Sequence, residues 1–194
     1  MARHSTMVSQ VRRLSPHPAA PAPSFCISAG MIWRETGALT LTYLVLPLER
    51  NVSRSWLDQL ITARPDSSGS QQRLDHLWEH TCFEAFLAVP DQSVYWELNV
   101  APSGDWNLYR FHDYRHLEAV EERCSPPEVT VEPLGEGVRC SVELDPCNFW
   151  PDALVPEIAL TMVVEPTPGD LSYWALSHPG DQADFHDRRG FLVP

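Results

Sequence analysis

Apolar and β-branched residues run from Phe25 to Trp33 and from Leu39 to Leu46, with Gly37 between them, and this predicts an opening β-hairpin. The stretch Ser53 to Ala63 has a serine cap and apolar residues at Trp56, Leu57, Leu60 and Ile61, the spacing of a short helix, and Pro65 to Gln72 reads as loop. Alternating blocks at Thr81 to Val89, Val94 to Ala101 and Trp106 to His112 are separated by the turn sequences PDQS and PSGD. A polar connection from Arg115 to Pro127 leads to strands at Glu128 to Leu134 and Gly137 to Leu144, then a turn or helical corner around Asn148 to Ala153. Strands at Pro156 to Glu165 and Leu171 to Leu176 close the pattern. Short strands at fairly even spacing, without long helices between them, predict an all-β fold: an antiparallel β-sandwich, jelly-roll-like, with one or two short helices.

Period-two alternation sorts the middle strands into faces. Phe83, Ala85, Leu87 and Val89 form one row, with Cys82, Glu84 and Phe86 opposite. Trp96, Leu98 and Val100 form the next apolar row, leaving Tyr95, Glu97 and Asn99 together. The third block divides into Trp106, Leu108, Arg110 and His112 against Asn107, Tyr109 and Phe111, and both of its rows are mixed. If the three strands are neighbours, one face gathers Glu84, Glu97, Asn99 and Arg110 with Tyr95 and Trp106. Carboxylates, an amide and a guanidinium supply paired donors and acceptors for hydroxyls, and aromatic rings supply platforms for C–H patches, which is the chemistry a sugar asks for. A solvated sheet face with Glu–Arg cross-strand pairs has the same pattern, so both readings stand.

The 194 residues suit one domain. All 14 basic residues are arginine and the net charge is −12, which argues against a nucleic-acid partner. Five cysteines without a CxxC pair read as free thiols. Residues 1–23 are basic, rich in proline and alanine, and patternless, and they read as a flexible leader to a domain over 24–194; Met7 is a candidate alternative start. With no apolar run of signal-peptide or membrane-span length, no membrane partner and a cytoplasmic location are expected.

Three blocks, LWEHTCFEAFL (77–87), YWELNVAPSGDWNLYRFHDYR (95–115) and LSYWALSHPGDQADFHDRRGF (171–191), resemble the bacterial DOMON-like proteins. That group is similar to the wider DOMON and family-nine carbohydrate-binding-module superfamily, β-sandwiches whose members bind sugars or, in some branches, haem. By resemblance, Trp78 and Glu84 match the first tryptophan of a sugar sandwich and its glutamate, and Trp174 the second tryptophan. Asn99 and Arg110 match the amide and guanidinium, with Arg115 a rival to Arg110.

These readings imply a non-catalytic domain that binds a small molecule, a sugar by preference, with a haem-binding domain and a protein-interaction module as alternatives. The ligand-binding candidates are Trp78, Glu84, Glu97, Asn99, Trp106, Arg110 and Trp174. No cofactor is expected. For haem, the available axial ligands are Met162 with His178 or His186; for a metal such as structural calcium, the cluster is His178, Asp181, Asp184, His186 and Asp187, which lacks standard ligand spacing. Glu84 and Glu97 have the makings of a glycosidase pair, but an arginine beside both would hold both ionised, so catalysis is not expected.

Overall fold

A computed structural model of the chain describes residues 5–19, 24–48, 71–151 and 154–193. The helix predicted over Ser53 to Ala63 lies outside the described residues. The fold is all-β: β1 (Thr6–Pro16), β2 (Phe25–Arg34), β3 (Leu39–Pro47), β4 (Cys82–Ala88), β5 (Tyr95–Val100), β6 (Trp106–Asp113), β7 (His116–Val120), β8 (Glu128–Leu134), β9 (Gly137–Leu144), β10 (Glu157–Thr167) and β11 (Asp170–Ala175). Single 3₁₀ turns lie at Leu77–Glu79 and Arg188–Gly190. Among the described residues no helix is long and apolar enough to cross a membrane.

All strand pairings are antiparallel, in the order β7-β6-β5-β4-β10-β11-β1-β2-β3-β9-β8. The run folds over at β1, which pairs with β2 along its length and with β11 at Ser15 and Pro16. The two layers close on one shared core. Ile27, Leu41 and Val142 of the β2-β3-β9 layer pack in the same cluster as Phe83, Leu98 and Leu160 of the β5-β4-β10 layer. Tyr43 crosses between the layers, 5.4 Å from Phe83 by ring centroids, and its hydroxyl donates to the Glu84 carbonyl. Burying these alternate rows of large side chains is what holds a sandwich together, at about 25 cal/mol per Å² of apolar surface removed from water.

Two segments differ from the sequence reading. Residues 6–16, within the stretch read as a flexible leader, form β1, whose outward positions stay exposed and whose one fully buried side chain is Leu14. The polar connection after Arg115 contains β7, an exposed edge strand. Neither has a buried apolar row, so neither carries the alternation that marks the central strands.

Candidate functional site

In the layer β7-β6-β5-β4-β10-β11 the central strands β6, β5, β4 and β10 are buried on both faces over most of their length. One face meets the core. The other is covered by the C-terminal segment, which is stapled on by the antiparallel bridge Ile158–Leu192 and by Arg188, whose guanidinium bonds to Glu157 and donates to the Gln92 carbonyl at 2.7 Å. Between segment and sheet lies a cavity of about 370 Å³, at the small end of the roughly 300–1,000 Å³ of small-molecule sites.

Register decides what lines it. Glu84 pairs with Asn99 and with Thr161, Phe86 pairs with Glu97, and Glu97 pairs with Tyr109, so Glu84, Phe86, Glu97 and Tyr109 point to one side. They form the floor with Phe111 and Val163. Phe185 and His186 of the C-terminal segment form one wall and Tyr173 of β11 stands beside Phe185, with ring centroids 6.1 Å apart. At the opposite edge, the 3₁₀ turn buries Leu77 and leaves Trp78 37% exposed, edge-on to Tyr109 at 5.6 Å. Tyr109 is itself fixed by donating to Asp75 Oδ1 at 2.8 Å.

Glu84 is 2% exposed. Its Oε2 accepts from the Thr161 hydroxyl at 3.3 Å, whereas Oε1 has no hydrogen-bond partner among the described residues; the neighbouring Cys82 thiol is a weak donor at best. Burial, and then the Glu97 charge, push the Glu84 carboxyl well above the ordinary carboxylate range. Asn99, fully buried, donates from Nδ2 to Glu97 Oε1 at 2.9 Å, and its Oδ1 is unpaired among the described residues. Burial raises Glu97 to about 7, against the smaller lowering influences of Asn99 and Arg115. His186 moves the other way: burial, then the Arg115 charge, lower it to about 4, so it is neutral at pH 7. Its Nδ1 lies 2.8 Å from the Tyr95 hydroxyl, which also accepts the Arg115 backbone N–H at 3.1 Å. We assign the hydroxyl proton to Nδ1, which leaves Nε2–H facing Glu97 Oε2 at 3.8 Å, too far for a direct bond. The cavity therefore presents a carboxyl with a free oxygen, a second carboxyl and an imidazole donor inside an aromatic enclosure.

Of the predicted residues, Trp78, Glu84 and Glu97 line the cavity, and Asn99 lies beneath it, holding Glu97. Trp106, Arg110 and Trp174 do not line it. Trp106 faces the core, with the Arg73 guanidinium 4.1 Å from its ring centroid. Arg110 pairs across from Trp96 on the core-side row and is bound to Glu118 at 2.9 Å. Trp174 is 1% exposed, packed at 5.1 Å on Phe25. The arginine beside the site is Arg115, bound to Asp184 at 2.8 Å. Because Arg110 is on the far side of the sheet, the expectation that an arginine holds both glutamates ionised is reversed; burial dominates and both are raised.

Met162 is fully buried on the core face, so it cannot share the cavity with His186 as an axial pair, and the His178 ring lies 2.9 Å from the Ser15 carbonyl. No three His, Cys, Asp or Glu residues among those described are grouped to hold a metal ion. Asp184 is committed to Arg115 and Tyr114, and Asp187 to Arg189. The aromatic wall from Phe185 and Tyr173 escaped the sequence reading, since only the tertiary fold brings β11 and the C-terminal segment to the edge of the β4 to β6 face.

Neither a scan of protein-family models nor a search of curated proteins finds a match for this chain. Among solved structures, the chain resembles one described as a "putative carbohydrate-binding protein" from Bacteroides uniformis ATCC 8492, with a TM-score of 0.62, 11% identity, and coverage of 94% of this chain and 84% of that one. At that identity the likeness establishes a shared β-sandwich fold.

Proposed function

We propose that this chain is a non-catalytic carbohydrate-binding domain whose site is the cavity between β4, β5, β6 and the C-terminal segment, and that it belongs to the DOMON-like branch its sequence motifs resemble. The observation that carries the reading is an aromatic-lined cavity of about 370 Å³ into which two buried acidic residues, Glu84 and Glu97, are set, the first with one oxygen, Oε1, that has no partner among the described residues. A buried polar oxygen without a partner costs about 1–3 kcal/mol, and a ligand hydroxyl or amine would remove that cost on binding. A wholly apolar ligand would not. Sugars bring hydroxyls to such groups and C–H faces to rings such as Trp78 and Tyr173. The fold shared with a protein described as carbohydrate-binding supports the same reading.

Binding without turnover follows from the placement of the two acids. Glycoside hydrolysis needs one protonated and one ionised carboxyl flanking the scissile bond. Glu84 and Glu97 sit diagonally on adjacent strands of one sheet face, on the same side of any ligand and not on either side of a bond held between them. A protein-docking role for this face is disfavoured because the chain's own C-terminal segment covers it.

The test is thermal unfolding of the full chain across a panel of mono- and disaccharides, since a ligand that binds only the native state raises the melting temperature. A saturable rise with one sugar class in the wild type, absent in Trp78→Ala, is the expected result. No rise with any saccharide in the folded protein would overturn the proposal.

A further inference from the structure

Among the described residues no cation pairs directly with either carboxyl of the cavity, although the charge of Arg115 acts on Glu97 from the rim. Glu84 takes part in no ion pair among the described residues, and the one partner of Glu97 is His186, at 3.8 Å. The tautomer assigned above leaves His186 uncharged. The arginine at the rim, Arg115, has its guanidinium on Asp184, 2.8 Å away. The other titratable neighbours are the Cys82 thiol and the Tyr95 and Tyr109 hydroxyls, none of which brings a cation. Two carboxyls are thus buried on neighbouring strands, one with a free oxygen, and no cation touches Glu84.

Around these acids stand Trp78, Phe86, Tyr109, Phe111, Tyr173 and Phe185. Aromatic faces attract cations through the ring quadrupole, and a cage of rings backed by carboxylates is the arrangement that recognises organic ammonium groups. For a neutral sugar one acid would suffice to accept and donate. A second buried acid, whose charge makes Glu84 harder to ionise, suits a ligand that brings a cation against which both can ionise.

We propose that the cavity takes an amino sugar, a saccharide carrying a protonated amine, with the ammonium against Glu84 and Glu97 and the ring C–H faces against the aromatic walls. This rests on the carbohydrate-binding reading above and names the class of sugar. The ammonium supplies three donors, enough for the carboxyls of Glu84 and Glu97 together. His186 Nε2–H is left to donate to a ligand hydroxyl.

The test is calorimetric titration of the full chain, at neutral pH and low salt, with matched sets: glucose, glucosamine and N-acetylglucosamine, and the corresponding galactose and mannose sets. The expected result is that an amine form binds about tenfold or more tightly than its neutral parent and its N-acetyl form, and that Glu97→Gln and Glu84→Gln each erase most of that preference. Equal affinity for amine and neutral forms would overturn the amino-sugar assignment and leave the carbohydrate reading standing. Binding of no form of any sugar would overturn both. Should Glu84→Gln fail to fold, the wild-type comparison and the more peripheral Glu97→Gln still decide the question.

Discussion

Replacing Glu97 with glutamine removes a charge that folding buries at a cost, and the structure sets the size and pH window of the gain. The Glu97 carboxyl rises from 4.5 to about 7 on folding, because burial outweighs its bond from Asn99. Below pH 4.5 it is protonated in both folded and unfolded chains and costs nothing. Between 4.5 and about 7 the unfolded chain gives up the proton first, so stability falls as pH rises; above about 7 the full cost is present. At about 1.4 kcal/mol per pH unit the cost reaches roughly 3 kcal/mol. Glu84 acts in the same direction, since part of its own upward displacement comes from the Glu97 charge. His186 acts oppositely, being lowered to about 4, but it is present in both proteins and cancels in the comparison. The stability of Glu97→Gln relative to wild type should therefore climb by about 3 kcal/mol from pH 4.5 to pH 8, or roughly 6–12 °C in melting temperature for a chain of this length. Urea unfolding followed by tryptophan fluorescence at half-unit pH steps measures it. Parallel stability curves for the two proteins would show instead that Glu97 is solvated or paired as well in the folded chain as in the unfolded one.

Other consequences follow from the same geometry. Trp174→Ala should lose about 3–5 kcal/mol, as expected for emptying a core site, while the fraction that folds binds ligand normally; loss of binding at unchanged stability would move Trp174 back into the site. Deleting residues 1–16 strips β1 from β2 and β11, so the truncated chain should melt lower and aggregate through the uncovered β2 edge, whereas a chain that melts like wild type would show that this segment is only a leader. Gly137→Ala would bring a Cβ within 2.4 Å of the Val45 carbonyl, and urea unfolding should show a clear loss of stability; unchanged stability would mean that β3 and β9 separate freely there.

Much of the fold was legible because the hydrophobic rows of β2 through β5, β9 and β10 are long and regular, and Gly37, at φ 82°, marks the first hairpin as a turn that tolerates a left-handed residue. β1 and β7 were not, because their stability comes from backbone pairing at partly exposed positions rather than from a buried apolar row. In the site, Glu84, Glu97 and Asn99 could be placed together because each stands in a strand whose opposite row is uniformly apolar. β6 defeated the same logic. Both its faces are buried, one in the core and one under the C-terminal segment, so polarity no longer separates the rows, and Arg110 and Trp106 were read onto the face that Asn107, Tyr109 and Phe111 occupy. Arg115 was visible only as a rival because a turn residue at φ 53° belongs to neither row. The aromatic wall depends on contacts nearly a hundred residues apart in sequence, such as Tyr95 with His186, and local pattern carries no trace of those.

Under the proposed function, saccharides bind in the cavity edged by Trp78 and floored by Glu84 and Glu97. The most direct measurement is the set of tryptophan indole N–H resonances during titration with the saccharide that gives the largest thermal shift. A saturable change is expected at Trp78, with Trp106 and Trp174, which face the core, essentially still. Saturable binding that leaves Trp78 unmoved, or that moves Trp174 instead, would contradict it.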